Sequence, residues 1–180
     1  KCEVVDSSGG ISIIGNGAEI SKALVHRDSA AGIDINGDDA TITKSAFRAI
    51  EGTGISIDGD GVILTTNEVR RCADGVLVDG NAFAITKNVV DACSGIGLTV
   101  ANATSGSIEK NTITDIRSSC LVVEATVSNA TIAKNDIRRT TSSTAVAVWI
   151  RGDANSITNT LVRQSAGDGV LVEGDNNTLF

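Results

Sequence analysis

A short pattern recurs along the whole chain: a small residue, an aliphatic residue, a variable residue and a second aliphatic residue. Its eight copies begin at residues 10, 32, 54, 75, 97, 120, 147 and 169, so successive copies are 22, 22, 21, 22, 23, 27 and 22 residues apart. A repeat of this length that keeps its register is typical of a solenoid, in which each repeat forms one coil and packs on its neighbours.

Two further sets of aliphatic residues recur with the same spacing, one residue of each set per repeat, and we call each such set a column. The residues around them alternate between apolar and polar, which is the period of a strand. No stretch has apolar residues at helical spacing over a length sufficient for a helix. Each coil is therefore predicted to hold three short strands whose inward side chains stack on those of the next coil. The columns are Ile20, Ile42, Leu64, Ile85, Ile108, Ile132, Ile157 and Leu179, and then Val25, Phe47, Val69, Val90, Ile113, Ile137 and Val162.

Polar residues recur at two fixed places between these columns. A Gly–Asn or Gly–Asp pair follows six of the eight copies of the short pattern, where glycine permits a tight corner and the Asx side chain caps the turn. A second polar column consists of asparagines, whose amides are expected to hydrogen-bond along the solenoid axis. Its members are Asn67, Asn88, Asn111 and Asn135.

With this repeat and these columns, the sequence resembles the pectin-lyase-like right-handed parallel β-helix superfamily, in the generic form seen in NosD-like and carbohydrate-binding β-helix proteins. The resemblance covers the chain from about Asp6 to Phe180. It implies an all-β fold, a right-handed single-stranded parallel β-helix of about eight coils with three short parallel sheets. It also implies a secreted or cell-surface protein that works on polysaccharides.

Composition narrows the class of protein further. The chain has 180 residues, of which 41% are hydrophobic and 21% charged, so we expect residues 1–180 to form one folded domain rather than a disordered chain. It begins with Lys1 rather than methionine, and we expect a segment of a larger or processed protein. The net charge of −7 argues against a nucleic-acid partner. No apolar run reaches the ~20 residues of a membrane span.

Four aspartates near the Gly–Asx turns are candidate calcium ligands. Stacked coils would bring Asp38, Asp58, Asp60 and Asp79 near one another, and Ca²⁺ prefers oxygen ligands of this kind. The other interpretation is that Gly–Asp is only a turn signal, because the pair recurs at 174–175 among different charges. Calcium is the cofactor under the first interpretation, and no cofactor is expected under the second.

Candidate catalytic residues come from both charge types. Asp58 and Asp79 could stand at the ~5–9.5 Å separation of the two carboxyl groups of a glycoside hydrolase. The outward residues Arg48 and Arg70 could act as base, or neutralise the substrate carboxylate, in a polysaccharide lyase. Nothing in the sequence indicates a carboxyl group with a raised pKa, so these four residues are weak candidates.

Two outward columns are rich in basic residues, and stacked like charges repel one another. Such columns alternate with acids, bind an acidic glycan, or form a solvated face that keeps the protein soluble. One column contains His26, Arg48, Arg70, Arg138 and Arg163, and the other contains Lys22, Lys44, Lys87, Lys110 and Lys134.

Trp149 lies between two inward-facing residues and is predicted to point outward. With Val122 and Leu171 at the same position of neighbouring coils, it forms an apolar stripe, which is typical of a partner surface. We expect self-association, or docking of further sequence, through this face, and the alternative is a platform for stacking sugars. Arg138 and Arg151 complete the candidate binding residues.

Cys72 and Cys93 occupy the same position in adjacent coils. Cα atoms one strand spacing apart fall within the ~4.4–6.8 Å range of a disulfide. The pair could equally be two small buried thiols stacked in the core. No Cys–x–x–Cys or Cys/His spacing indicates a metal site.

Two functional hypotheses remain from the sequence. The first is a non-catalytic structural or glycan-binding β-helix domain. The second is a polysaccharide lyase or glycoside hydrolase acting on an acidic polysaccharide in a shallow groove on one sheet. Short loops and the missing acid–base signature favour the first, and the sequence leaves open whether the protein is an enzyme.

Overall fold

The three aliphatic columns of the sequence become the inner faces of three sheets. In the computed structural model, which describes residues 2–180, strands of successive coils lie side by side in parallel, and each of the three sheets has eight strands. The result is a right-handed parallel β-helix of about eight coils, as predicted. Within residues 2–180 there is no helix with the length and hydropathy needed to cross a bilayer.

Sheet A begins earlier than the sequence indicated. Its first strand lies upstream of Asp6, and Val4 pairs there with Val25. The repeat is hard to recognise at this end because the stretch before Asp6 is only a few residues long. The strands of sheet A are β1 (Glu3–Val5), β4 (Leu24–Asp28), β7 (Ala46–Ile50), β10 (Glu68–Arg70), β13 (Val89–Asp91), β16 (Thr112–Ile116), β19 (Asp136–Thr140) and β22 (Leu161–Arg163).

Sheet B is formed by the short pattern with which each repeat begins. Ile57, Val78 and Val100 pair in register on three successive strands, and each is at most 1% exposed. The stacking of these aliphatic residues is therefore as predicted. The strands are β2 (Ile11–Ile14), β5 (Ile33–Asn36), β8 (Thr53–Asp58), β11 (Asp74–Asp79), β14 (Leu98–Ala101), β17 (Leu121–Val123), β20 (Val146–Ile150) and β23 (Asp168–Val172).

Sheet C closes each coil between sheets B and A. Its inward column runs from Ile20 to Leu179, and the outer neighbours of the inward residues are partly or fully exposed except Ala133, which is buried. The strands are β3 (Glu19–Ser21), β6 (Thr41–Thr43), β9 (Ile63–Thr65), β12 (Phe83–Thr86), β15 (Gly106–Glu109), β18 (Ala130–Ala133), β21 (Ser156–Thr158) and β24 (Thr178–Leu179).

Columns of left-handed residues make the corners of the helix. Non-glycine residues with φ between 49° and 61° stand at the carboxyl-terminal ends of the sheet A strands, within or directly after them, and again directly after the strands of sheet C. This backbone region is uncommon for residues with a side chain, so its repetition shows how strongly the stacked coils fix one another. The corner after sheet A has Asp6, Arg27, Ala49, Arg71, Ala92, Asp115, Arg139 and Gln164, and the corner after sheet C has Lys22, Lys44, Thr66, Lys87, Lys110, Lys134 and Asn159.

The asparagine column lies inside the corner between sheets C and A. Asn67, Asn88, Asn111 and Asn135 are buried, and each of the first three donates its side-chain amide to the Oδ1 atom of the next at 3.1 Å. The backbone N–H of each of the three donates to the same oxygen at 2.9 Å. These bonds run along the axis and hold the corners of neighbouring coils together.

Candidate functional site

Asp38 and Asp60 lie at the corner between sheets B and C, where their carboxylates cap the next coil. Asp38 Oδ1 accepts the backbone N–H of Asp60 at 2.9 Å, and Asp60 Oδ1 accepts that of Asn81 at 2.6 Å. Asn16 does the same for Asp38. These carboxylates therefore perform the turn-capping role expected of the Gly–Asx pair. Glycine is needed at this corner because a Cβ on Gly80 would overlap the carbonyl oxygen of Gly59.

Asp58 and Asp79 lie on the outer face of sheet B, directly opposite each other on neighbouring strands. Asp79 Oδ1 accepts a hydrogen bond of 2.6 Å from the side-chain amide of Asn102. Together with Asp38 and Asp60 they are the calcium ligands that the sequence suggests. Among residues 2–180, no group of three or more acidic, histidine or cysteine side chains is placed to hold a metal ion.

Arg48 and Arg70 lie on the outer face of a different sheet, sheet A. Both bind Glu68 Oε1, at 2.8 Å from Arg48 and 3.0 Å from Arg70, and Arg70 also lies 3.7 Å from Asp91. The basic column therefore alternates with acids here. Since the outer faces of sheets A and B point in different directions, the candidate aspartates and the candidate arginines lie on separate faces and do not converge on one site.

Arg138 is also separated from the binding residues with which the sequence grouped it. It lies on the outer face of sheet A and forms a close ion pair with Asp136, which Arg163 approaches at 3.7 Å. Trp149, Val122 and Leu171 instead belong to sheet B, and Arg151 directly follows its strand β20. Arg138 is therefore part of the ion-pair network of sheet A.

Trp149 is the centre of a polar and aromatic cluster on the outer face of sheet B. Its indole Nε1 donates to Glu173 Oε2 at 3.0 Å, and the Arg151 guanidinium carbon lies 5.0 Å from the ring centroid, a cation–π contact. Arg151 Nη1 donates to Glu124 Oε2 at 2.7 Å. The four side chains come from three successive coils and fix one another's orientation. We call them the Trp149 cluster.

The apolar stripe around Trp149 is smaller than the sequence indicated. Val122 points outward on the strand beside Trp149, yet it is only 2% exposed, and Trp149 and Leu171 are half-buried. Val122 is therefore covered by residues of its own chain. A large side chain such as tryptophan shields a smaller side chain at the paired position of the adjacent strand from solvent.

The thiols of Cys72 and Cys93 are free and buried, as is that of Cys120, whereas Cys2 is exposed. The hydrogen bond shared with Cys93, followed by burial, raises the pKa of the Cys72 thiol above its usual range. Burial, with smaller contributions from Asp115 and Cys93, raises the pKa of Cys120 to about 12. These environments keep Cys72 and Cys120 protonated at neutral pH.

Sequence analysis missed two features that carry chemistry. Glu124 and Glu173 complete the Trp149 cluster, and their position two residues after the variable residue of the short pattern could have shown that they share its face. Asp28 stands at an inward position that Ile50 fills in the next coil; it is 2% exposed, and its Oδ2 atom has no hydrogen-bond partner. Asp28 lines a surface cavity of about 430 Å³ beside Arg27.

Comparison with solved structures supports the architecture. The chain is similar to a mutant of the periplasmic alginate epimerase AlgG, with a TM-score of 0.79 and 14% sequence identity over 99% of this chain and 48% of that one. It thus spans about half the length of that protein. A second structure, QnrB1, a plasmid-mediated fluoroquinolone resistance protein, has a TM-score of 0.22 and 9% identity over 97% of this chain and 92% of its own, too low to bear on the fold.

Comparison of sequences identifies the family. No curated protein matches the sequence significantly. The family described as right handed beta helix region matches residues 1–137, which is most of the chain. Together with the three parallel sheets and their in-register columns, this match shows that the chain belongs to the right-handed β-helix family.

Proposed function

We propose that the chain is a non-catalytic glycan-binding domain and that the Trp149 cluster is its sugar-binding surface. The observation that carries this proposal is the fixed, half-exposed indole, held by Glu173 on one side and by Arg151 on its ring. Sugars present apolar C–H faces that pack on aromatic rings and hydroxyl groups that bond to planar polar side chains. The cluster offers both kinds of contact on an open sheet face.

Rigidity favours binding by this cluster. Glu124, Arg151 and Glu173 are linked through hydrogen bonds and ion pairs, so little side-chain freedom remains to be lost when a ligand binds. Similarity to a periplasmic alginate epimerase adds support for a polysaccharide-related role and for a location outside the cytoplasm. Self-association through the same face stays a prediction, and light scattering of Trp149→Lys against the unaltered protein would test it.

The test is a titration with neutral oligosaccharides, monitored by Trp149 fluorescence and by calorimetry. We expect saturable binding that Trp149→Ala abolishes and Trp149→Phe largely retains, since phenylalanine keeps an aromatic face but loses the N–H donor. Prolonged incubation with polysaccharides should release no new reducing or unsaturated ends. Binding that survives Trp149→Ala would refute this location of the site.

An enzymatic role is the second candidate, and one observation favours it. Asp58 and Asp79 are paired across neighbouring strands on the same face of sheet B as the Trp149 cluster. If they catalyse hydrolysis or elimination, turnover of a polysaccharide should be detectable and should disappear in Asp58→Asn or Asp79→Asn. Turnover that both variants keep would assign it to other residues.

A further inference from the structure

We propose that a cavity at the corner after sheet A binds a small aliphatic diamine, with one of its ammonium groups on Asp28. The cavity is the one of about 430 Å³ that Asp28 lines together with Asp6, Arg27 and Glu51, and we call it the Asp28 cavity. This inference goes beyond the proposed function, because the Asp28 cavity shares no residue with the Trp149 cluster and lies on different coils.

Asp28 has a carboxylate oxygen that no described residue bonds. Its side chain is 2% exposed, its Oδ1 atom accepts the backbone N–H of Ala30 at 3.0 Å, and its Oδ2 atom has no hydrogen-bond partner. One oxygen is sufficient to cap the turn at Ala30. A buried polar atom without a partner is unfavourable, so the second oxygen indicates a ligand that donates a hydrogen bond.

The stack of coils does not require a carboxylate at this position. Asp28 is the last residue of β4 and pairs with Ile50, an aliphatic residue that fills the same inward position of the next coil and is also 2% exposed. Asparagine would cap the turn equally well without burying a charge. A residue that breaks a local rule of the fold in this way is typical of a functional site.

The positive charge that lines the Asp28 cavity is already used by another acid. Arg27 makes a bidentate ion pair with Asp6, from Nε to Oδ1 at 2.6 Å and from Nη2 to Oδ2 at 2.8 Å. Glu51 is exposed at the rim and takes part in no ion pair within residues 2–180. The lining thus has three acids and one base, and its field attracts cations.

The surroundings of Asp28 favour a cation that is held by hydrogen bonds. In the described part of the chain, no three acidic, histidine or cysteine side chains are placed around one metal ion, which does not suit a coordinated metal. A primary ammonium group instead has three N–H donors. Asp28 Oδ2 would accept one of them, and the hydroxyl oxygens of Ser7 and Ser29, which also line the cavity, are further acceptors.

Glu51 favours a diamine over a monoamine. Its backbone N–H donates to Asp28 O at 2.8 Å, so the two acids lie on adjacent coils at the same corner. A short aliphatic chain would allow a second ammonium group to reach the Glu51 carboxylate while the first stays on Asp28. An exposed ion pair contributes less than a buried one, so Glu51 is expected to add to the affinity and Asp28 to provide most of it.

The test is a calorimetric titration with 1,4-diaminobutane at about 0.15 M salt, where long-range attraction is screened. Asp28→Asn keeps the size of the side chain and the acceptor for Ala30, whereas Asp34→Asn removes one exposed charge from the outer face of sheet B. We expect saturable binding by the unaltered protein, a roughly tenfold loss of affinity in Asp28→Asn, and little change in Asp34→Asn. Both variants have the same net charge, so general attraction to an acidic protein would affect them equally.

Glu51→Gln tests the second contact. It should weaken binding of 1,4-diaminobutane and leave the weaker binding of butylamine, a monoamine, unchanged. Tetramethylammonium, a cation without N–H donors, should not bind. A melting curve accompanies each titration, and should Asp28→Asn melt below the assay temperature, Glu51→Gln decides the test alone, because its side chain is exposed.

Four results would overturn the inference. They are no saturable binding of 1,4-diaminobutane by the unaltered protein, equal losses in Asp28→Asn and Asp34→Asn, diamine affinity unchanged in Glu51→Gln, and equal affinity for tetramethylammonium. Trp149→Ala should leave diamine binding unchanged, so failure of the proposed function and failure of this inference give different results.

Discussion

Asn111 Oδ1 accepts two hydrogen bonds from Asn88, one from its backbone N–H at 2.9 Å and one from its side-chain amide at 3.1 Å. The same amide donates to Leu64 O at 3.0 Å, and Asn88 Oδ1 receives the matching pair from Asn67. One buried side chain thus satisfies polar groups on the coils before and after its own. An apolar residue at this position would leave several of them without partners.

Asn88→Ala should therefore destabilise the fold strongly. Each buried donor or acceptor left unpaired costs roughly 1–3 kcal/mol, so we expect a loss of about 3 kcal/mol in the free energy of unfolding. Asn16→Ala is the matched control, because the Asn16 side chain accepts one exposed hydrogen bond, from Asp38 N. Urea denaturation of both variants measures the difference, and similar losses would contradict the role assigned to the asparagine column.

Val78→Ala and Leu77→Ala test the division between inner and outer faces. Val78 is fully buried and pairs with Ile57 and Val100, so its truncation should cost about 1–3 kcal/mol through lost burial and a partial cavity. Leu77 points outward and is half-buried, and we expect a clearly smaller loss. Chemical denaturation gives both values, and a larger loss for Leu77→Ala would reverse the assignment.

Calcium should not raise the melting temperature of this protein. A ligand that binds only the folded state stabilises it by mass action, and Asp60 already caps Asn81. We therefore expect thermal denaturation curves with and without millimolar Ca²⁺ to coincide. Asp58→Asn with Asp60→Asn is the control: a saturable increase in the unaltered protein that this variant lacks would establish a calcium site.

Stability should fall at alkaline pH in part because of Cys120. Its thiol has a pKa of about 12 in the folded protein, against 9.0 for an ordinary thiol. A raised folded-state pKa means that the contribution is complete below pH 9 and is lost as pH rises towards 12. The difference in unfolding free energy between the unaltered protein and Cys120→Ala should therefore shrink across this range. A difference independent of pH would show that the thiol is not shielded.

The fold could be predicted because every coil repeats the same arrangement of three strands and their corners. Inward residues such as Ile57 and Val78 must match their neighbours in size and register, and this requirement leaves a period in the sequence. The corners were only partly predictable. Lys87 and Ala92 adopt left-handed backbones that their residue types disfavour, and only stacking against the adjacent coils explains them.

The candidate site was harder to predict because its residues meet across coils. Alternation shows that Trp149 points outward, but not that Glu173, 24 residues later, accepts its N–H. Nor does it show that Arg48 and Arg70 both bind the Glu68 carboxylate. Residues that share a column can be grouped from the sequence, whereas the contacts between columns depend on side-chain directions that the repeat does not encode.

The axial direction of the backbone hydrogen bonds has a mechanical consequence. A force that pulls the two ends apart along the axis acts parallel to these bonds. It would therefore break the bonds between one pair of coils at a time instead of shearing a whole sheet. Each coil released would free 21 to 27 residues of chain, an extension of roughly 70 to 95 Å. The molecule is thus expected to unfold one coil at a time, with one longer step for the 27-residue coil, and to be much stiffer when it is pulled across the axis.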